Sequence, residues 1–258
     1  MANRWTKALL AVTLIVAAST AWPSAAGADP NALWNIVDGS CVPDQEQRGD
    51  PAPCAQIQPG EYAVLKDLVG RTQFLLIPTE RIDGIESPQL LAPDAPNYFA
   101  AAWHARSFVD ERAGMAVPRD WMSLAINSAQ GRSQNQLHIH IDCVRADVYE
   151  ALADHQAQIG PGWAPFPVPL AGHTYDAISV SGEDLGVNPF TLLADGLPGA
   201  RSHMGDETLV VVGTVGADGR PGFVVLANEA DPATGDLASG EELQDHESCP
   251  PRALVNGK

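Results

Sequence analysis

Gln136-Leu137-His138-Ile139-His140-Ile141-Asp142-Cys143 alternates strictly between polar and apolar residues. That is the period of a β-strand with one face on a core. Side chains two apart point the same way, so Gln136, His138, His140 and Asp142 share one face and Leu137, Ile139, Ile141 and Cys143 the other. Two imidazoles therefore stand side by side, about 7 Å apart at their backbones. Upstream, after Asn127, the segment Ser128-Ala129-Gln130-Gly131-Arg132-Ser133 reads as a small, polar loop. Such a loop can present backbone N–H groups and the Ser133 hydroxyl to an anion.

Around this strand the pattern reads as α+β. Residues 61–66 and 73–77 are expected to form an antiparallel strand pair, closed by Pro78, and residues 122–126 a third strand. Apolar residues at three- and four-residue spacing predict one helix over 96–114 with Gly114 as its stop, and another over 146–156. Residues 31–37 are expected to form a short helix, followed by a loop over 40–60. The Pro-rich run at 160–169 is read as irregular and as the candidate boundary of a C-terminal α/β extension. That extension holds an expected strand at 173–180, a helix at 189–194 and a hairpin pairing 208–215 with 222–227.

A chain of 258 residues with 45% hydrophobic content can bury one substantial core. Its formal net charge of -17 argues against nucleic acid as a partner, because phosphate neutralisation needs a concentrated basic surface. Residues 1–28 read as an export signal: Arg4 and Lys7 precede an apolar run, and Ala26-Gly27-Ala28 makes a small-residue cleavage site. Retention of that segment as an inner-membrane anchor is the alternative, and either places residues 29–258 outside the cytoplasm, in the periplasm or cell envelope. The even set Cys41, Cys54, Cys143 and Cys249 then implies disulfides. Three pairings are open; the turn-rich loop between Cys41 and Cys54 favours joining those two, which leaves Cys143 with Cys249. A monomer and a homodimer are both compatible with the sequence.

The histidine pair admits three readings. It can be structural. It can ligate a metal, for which Asp142 or the distant His173, His203 or His246 would have to complete the set. It can also carry out nucleophilic chemistry at phosphorus, in which a neutral imidazole attacks and nearby donors stabilise the phosphoryl oxygens.

The strand resembles the histidine triad motif, with Gln136 in the first place, His138 in the middle and His140 in the third. Tyr62 to Asp67, Phe74 to Pro78, Gly84 to Pro88, the segment from Ser123 through Ile141, the four cysteines and Leu243-Gln244-Asp245-His246 together resemble the bacterial CDP-diacylglycerol pyrophosphatase family. The resemblance implies a histidine triad-like antiparallel sheet with packed helices, and hydrolysis of CDP-diacylglycerol to CMP and phosphatidate. It implies His138 as nucleophile, forming a cytidylyl-histidine, His140 as a donor to a phosphoryl oxygen, and Asn127 and Ser133 as phosphate contacts. Gln136 departs from the triad; glutamine hydrogen-bonds but does not titrate, so a substrate contact rather than a proton relay is implied there. No metal or other cofactor is implied, and the partner is a lipid-linked nucleotide at the membrane surface. The alternatives are a broader nucleotide pyrophosphatase or nucleotidyl transferase, and a non-catalytic exported module binding zinc or another ligand.

Overall fold

The computed structural model describes residues 29–251; the expected export signal or anchor lies outside them. The described chain begins with helix α1 (Ala32–Ile36), a π-helical turn (Val37–Cys41) and helix α2 (Val42–Arg48). The loop expected from residue 40 is thus helical as far as Arg48. Pro43 sits in the first turn of α2, where its missing N–H is not needed, and the wider π turn accommodates the break in the hydrogen-bond ladder.

The strands follow as β1 (Gln56–Gln58), β2 (Tyr62–Lys66) and β3 (Phe74–Pro78). Helices α3 (Tyr98–Ala105) and α4 (Ser107–Ala113) stand where one helix was expected, and Gly114 caps the second with φ 72°. The break at Arg106 has a local cause. Its guanidinium donates to the Trp103 carbonyl at 2.5 Å and stacks on the Trp103 ring, taking the acceptor that the Ser107 N–H would use in an unbroken helix.

Strand β4 (Met122–Ile126), strand β5 (Ile139–Cys143) and helix α5 (Ala146–His155) come next. The remainder is β6 (Ala164–Pro165), β7 (Asp176–Ser181), α6 (Pro189–Gly196), β8 (Glu207–Val215) and β9 (Pro221–Glu229). The Pro-rich run, expected to be irregular, contributes β6 at a sheet edge, where a proline N–H is not required.

All nine strands form one sheet, ordered β1-β2-β3-β5-β4-β8-β9-β7-β6, and every pairing is antiparallel. The chain beyond the Pro-rich run therefore builds the second half of the sheet that carries β5, with β8 laid directly against β4. The main core lies on the sheet face of Leu76, Leu124, Ile139 and Ile141, against Phe99, Trp103 and Val109 of the α3–α4 pair. A smaller core lies on the opposite face, where Val37, Cys41 and Cys54 pack on Ala63, Leu65, Leu75 and Ile77.

Of the two disulfides, Cys41–Cys54 lies in that smaller core and Cys143–Cys249 in the main one. The polar stretch before Cys249 forms a strap: Gly240–Leu243 is a 3-10 turn, Gln244 bridges to Val144, and the Asp245 N–H donates to the Cys143 carbonyl at 2.9 Å. The Cys143–Cys249 link spans 106 residues, and closing so long a loop removes much freedom from the unfolded chain. Cys249→Ser should therefore lower unfolding free energy by about 2–4 kcal/mol, read as a reduced urea midpoint under non-reducing conditions.

Candidate active site

Strand β5 lies between β3 and β4, with His140 in register with Leu75 on one side and Ala125 on the other. His138 directly precedes the strand. The two-residue spacing holds as read: the imidazoles share a face, with ring centroids 4.9 Å apart. The face itself is not open to solvent, because His138 is 8% and His140 5% exposed. Helix α1 covers one side of it and the strap around Glu241 the other.

The ring nitrogens of His138 have different tasks. Nδ1 lies 2.7 Å from the Gln136 carbonyl oxygen, to which it donates as N–H. That fixes the tautomer with the lone pair on Nε2. Burial pushes the imidazole below its ordinary pKa, outweighing the Gln136 carbonyl and the Glu241 and Asp67 charges, which pull it up.

His140 is held the other way round. Its Nδ1 is 2.5 Å from Gln73 Nε2, and the same amide nitrogen donates to Asp67 Oδ2 at 3.0 Å. Asp67 thereby orients the Gln73 amide, and the neutral His140 ring accepts at Nδ1 and carries its proton on Nε2. That Nε2 is buried and has no hydrogen-bond partner among the described residues. Burial, and then the neighbouring His138, push His140 well below the ordinary histidine value. Glu241 Oε2 stands 3.2 Å from Nδ1 as a third neighbour.

Asn127 clamps that glutamate. Its Nδ2 donates to Glu241 Oε1 at 3.0 Å, and its Oδ1 accepts the Glu241 backbone N–H at 3.2 Å. His246, from the same strap, lies 3.9 Å from Asp142 Oδ2, too far for a hydrogen bond but within ion-pair range. The Asp142 carboxyl raises its pKa above the ordinary value.

These groups line a cavity of about 1040 Å³. His138, His140, Asn127 and Ser133 all reach it, as do Asp67, Glu241, Gln244 and His246. Gln136 does not line it. Its amide donates to the carbonyls of Pro78 at 3.1 Å and Glu80 at 2.9 Å, so it pins the chain entering β5 to the end of β3.

The loop before the strand is also spent differently from its reading as an anion cradle. The Gln130 and Gly131 N–H groups both donate to Ser128 Oγ at 3.0 Å, and Arg132 forms a two-point ion pair with Glu86. Among the described residues, no group of three or more His, Cys, Asp or Glu side chains is disposed to hold a metal ion. His173 instead pairs with Asp236 at 2.7 Å, and His203 sits exposed on the Gly199 carbonyl.

Residues 28–251 match the family described as CDP-diacylglycerol pyrophosphatase. The chain belongs to this family. A CDP-diacylglycerol pyrophosphatase of Yersinia pestis is 44% identical over 246 residues, covering 94% of each chain. The family's match takes in every residue of the cavity described above.

Gln73 and Glu241 were not found by reading the sequence. Both reach His140 through the fold, one from the strand-pair turn and one from a strap 101 residues beyond the histidine, so no local spacing marks them. Asp67 stood within a stretch of recognisable pattern without a role, and His246 was named only as a distant candidate to complete a metal set.

Because both rings are held below their ordinary pKa, protonation of the site sets in only below the usual histidine value of 6.5. The folded site then binds fewer protons than the unfolded chain near that pH, so acid weakens it. The acid limb of kcat/KM should lie below pH 6.5, and NMR titration of the His138 and His140 rings should show both neutral at pH 7.

Proposed function

We propose that this chain hydrolyses the pyrophosphate of CDP-diacylglycerol, releasing CMP and phosphatidate. The observation that carries the reading is the adjacent buried histidine pair, with His138 Nδ1 held at the Gln136 carbonyl, His140 Nδ1 at the Gln73 amide, and His140 Nε2 buried without a hydrogen-bond partner among the described residues. Family membership supports the substrate, and the relative from Yersinia pestis is named for the same activity.

In the reaction, His138 Nε2 attacks the phosphorus on the cytidine side. The bond from that phosphorus to the bridging oxygen breaks, and phosphatidate leaves with the electron pair. Water then attacks the cytidylyl-histidine, the N–P bond breaks, and CMP departs. A nucleophile must be unprotonated, and burial serves this by holding His138 neutral.

His140 Nε2–H donates to a non-bridging phosphoryl oxygen, where negative charge is concentrated in the transition state. A buried donor without a partner is already desolvated, so it needs no reorganisation when the phosphate arrives. His246, whose protonated form Asp142 favours, stands on the same wall. Asn127 holds Glu241, and Ser133 faces the cavity as a phosphate contact. The two disulfides suit an oxidising compartment, and the enzyme acts in the cell envelope.

His138→Ala should reduce CMP release from CDP-diacylglycerol at least about a thousandfold, with an unchanged circular dichroism spectrum. Quenching the parent enzyme during turnover with cytidine-labelled substrate should leave label on His138. Near-normal turnover in the variant would remove His138 as nucleophile. His140→Ala should cost about a hundredfold in kcat, the scale of one lost transition-state donor.

A further inference from the structure

The cavity has two unlike sides. One carries the histidines. On the other, Leu65 and Leu75 stand in register with His140 across β2, β3 and β5, so their side chains continue along the histidine face. Leu33 and Ile36 descend on them from α1. At the connection from β2 to β3, Leu68 is 100% exposed and Val69 60%, yet both belong to the cavity wall.

A single exposed leucine needs no explanation, whereas two adjacent apolar residues at the mouth of a cavity that continues apolar inward mark a binding surface. At about 1040 Å³ the cavity also stands at the top of the range for small-molecule sites of about 300–1,000 Å³. There is room beyond a nucleotide.

We propose that this wall, from the Leu68-Val69 rim to Leu65 and Leu75 with Leu33 and Ile36 above, is an acyl-chain subsite. It takes the acyl methylenes of the diacylglycerol portion while the pyrophosphate lies at the histidines. The proposal rests on the pyrophosphatase reading. Two facts favour a lipid chain as the occupant. The wall is continuous with the site of cleavage, so whatever fills it is joined to the reacting group. The chain's net charge of -17 gives no general attraction to an anionic membrane surface, so the lipid is selected by apolar contact.

The test uses the full chain and three substrates below their micelle concentrations: CDP-glycerol, CDP-dihexanoylglycerol and CDP-dioctanoylglycerol. Each methylene that enters the wall should raise kcat/KM about fourfold, the equivalent of about 0.8 kcal/mol of buried CH₂. The parent should therefore favour the dioctanoyl over the dihexanoyl substrate by about tenfold or more. In a Leu68→Ser/Val69→Ser variant that ratio should fall at least fivefold, and because it is a ratio it does not depend on the fraction of folded enzyme. If the parent releases CMP from all three at one kcat/KM, the pyrophosphatase reading stands and the subsite falls. An unchanged ratio in the variant likewise overturns it. If the parent releases CMP from none of them, the pyrophosphatase reading fails and the subsite goes with it.

Discussion

Strand β5 is buried on both faces in the middle of a nine-stranded antiparallel sheet, and the site depends on that placement. Its apolar face is locked into the main core through Ile139 and Ile141, while β3 and β4 fix its register on either side. A slip of one residue would drive both imidazoles into the core and Ile139 and Ile141 into the cavity. The positions of the histidines are therefore set by hydrophobic burial on the far side of the sheet. Gln136 reinforces this from the near side by tying the entry of the strand to the Pro78 and Glu80 carbonyls.

Burial has an electrostatic consequence as well. Two imidazoles under 5 Å apart, out of water, resist protonation through desolvation, and His140 also through its neighbour His138. Neutral rings then need their hydrogens assigned, and the two neighbours do so in opposite senses. A carbonyl acceptor beside His138 places the hydrogen on Nδ1; an amide donor beside His140 places it on Nε2. The carboxylates nearby are held rather than loose, Asp67 by the Gln73 amide and Glu241 by Asn127. An acidic protein can in this way meet a phosphate group with local donors although its overall field is repulsive.

Local patterns carried much of the architecture. The strand at 122–126 and the hairpin around Asp218-Gly219 appear as read, and the period-two run does so from Ile139 to Cys143, its first three residues standing outside the strand; each is specified by alternation or by turn residues within a few positions. The histidine face was legible for the same reason. The departures all involve contacts distant from the local pattern or internal to a side chain. A proline was absorbed by a π turn, an arginine took its own helix's carbonyl, and a Pro-rich run found an edge strand to pair with. Periodicity cannot register such events, since each depends on where one hydrogen-bond group finds its partner.

By itself the sequence determined that two histidines share a face beside Asn127 and Ser133, that four cysteines pair, and to which family of pyrophosphatases the pattern is similar. Only the tertiary structure decided that this face is enclosed, that Gln136 supports the strand instead of lining the cavity, and that Gln73, Glu241 and His246 complete the site. It also decided that an apolar wall runs from the histidines to the Leu68-Val69 rim. The physical reason is the range of the forces involved. Side-chain alternation follows from the covalent geometry of neighbouring residues, whereas the polarity and tautomer of a buried ring follow from groups brought beside it by strands and straps far away in the chain.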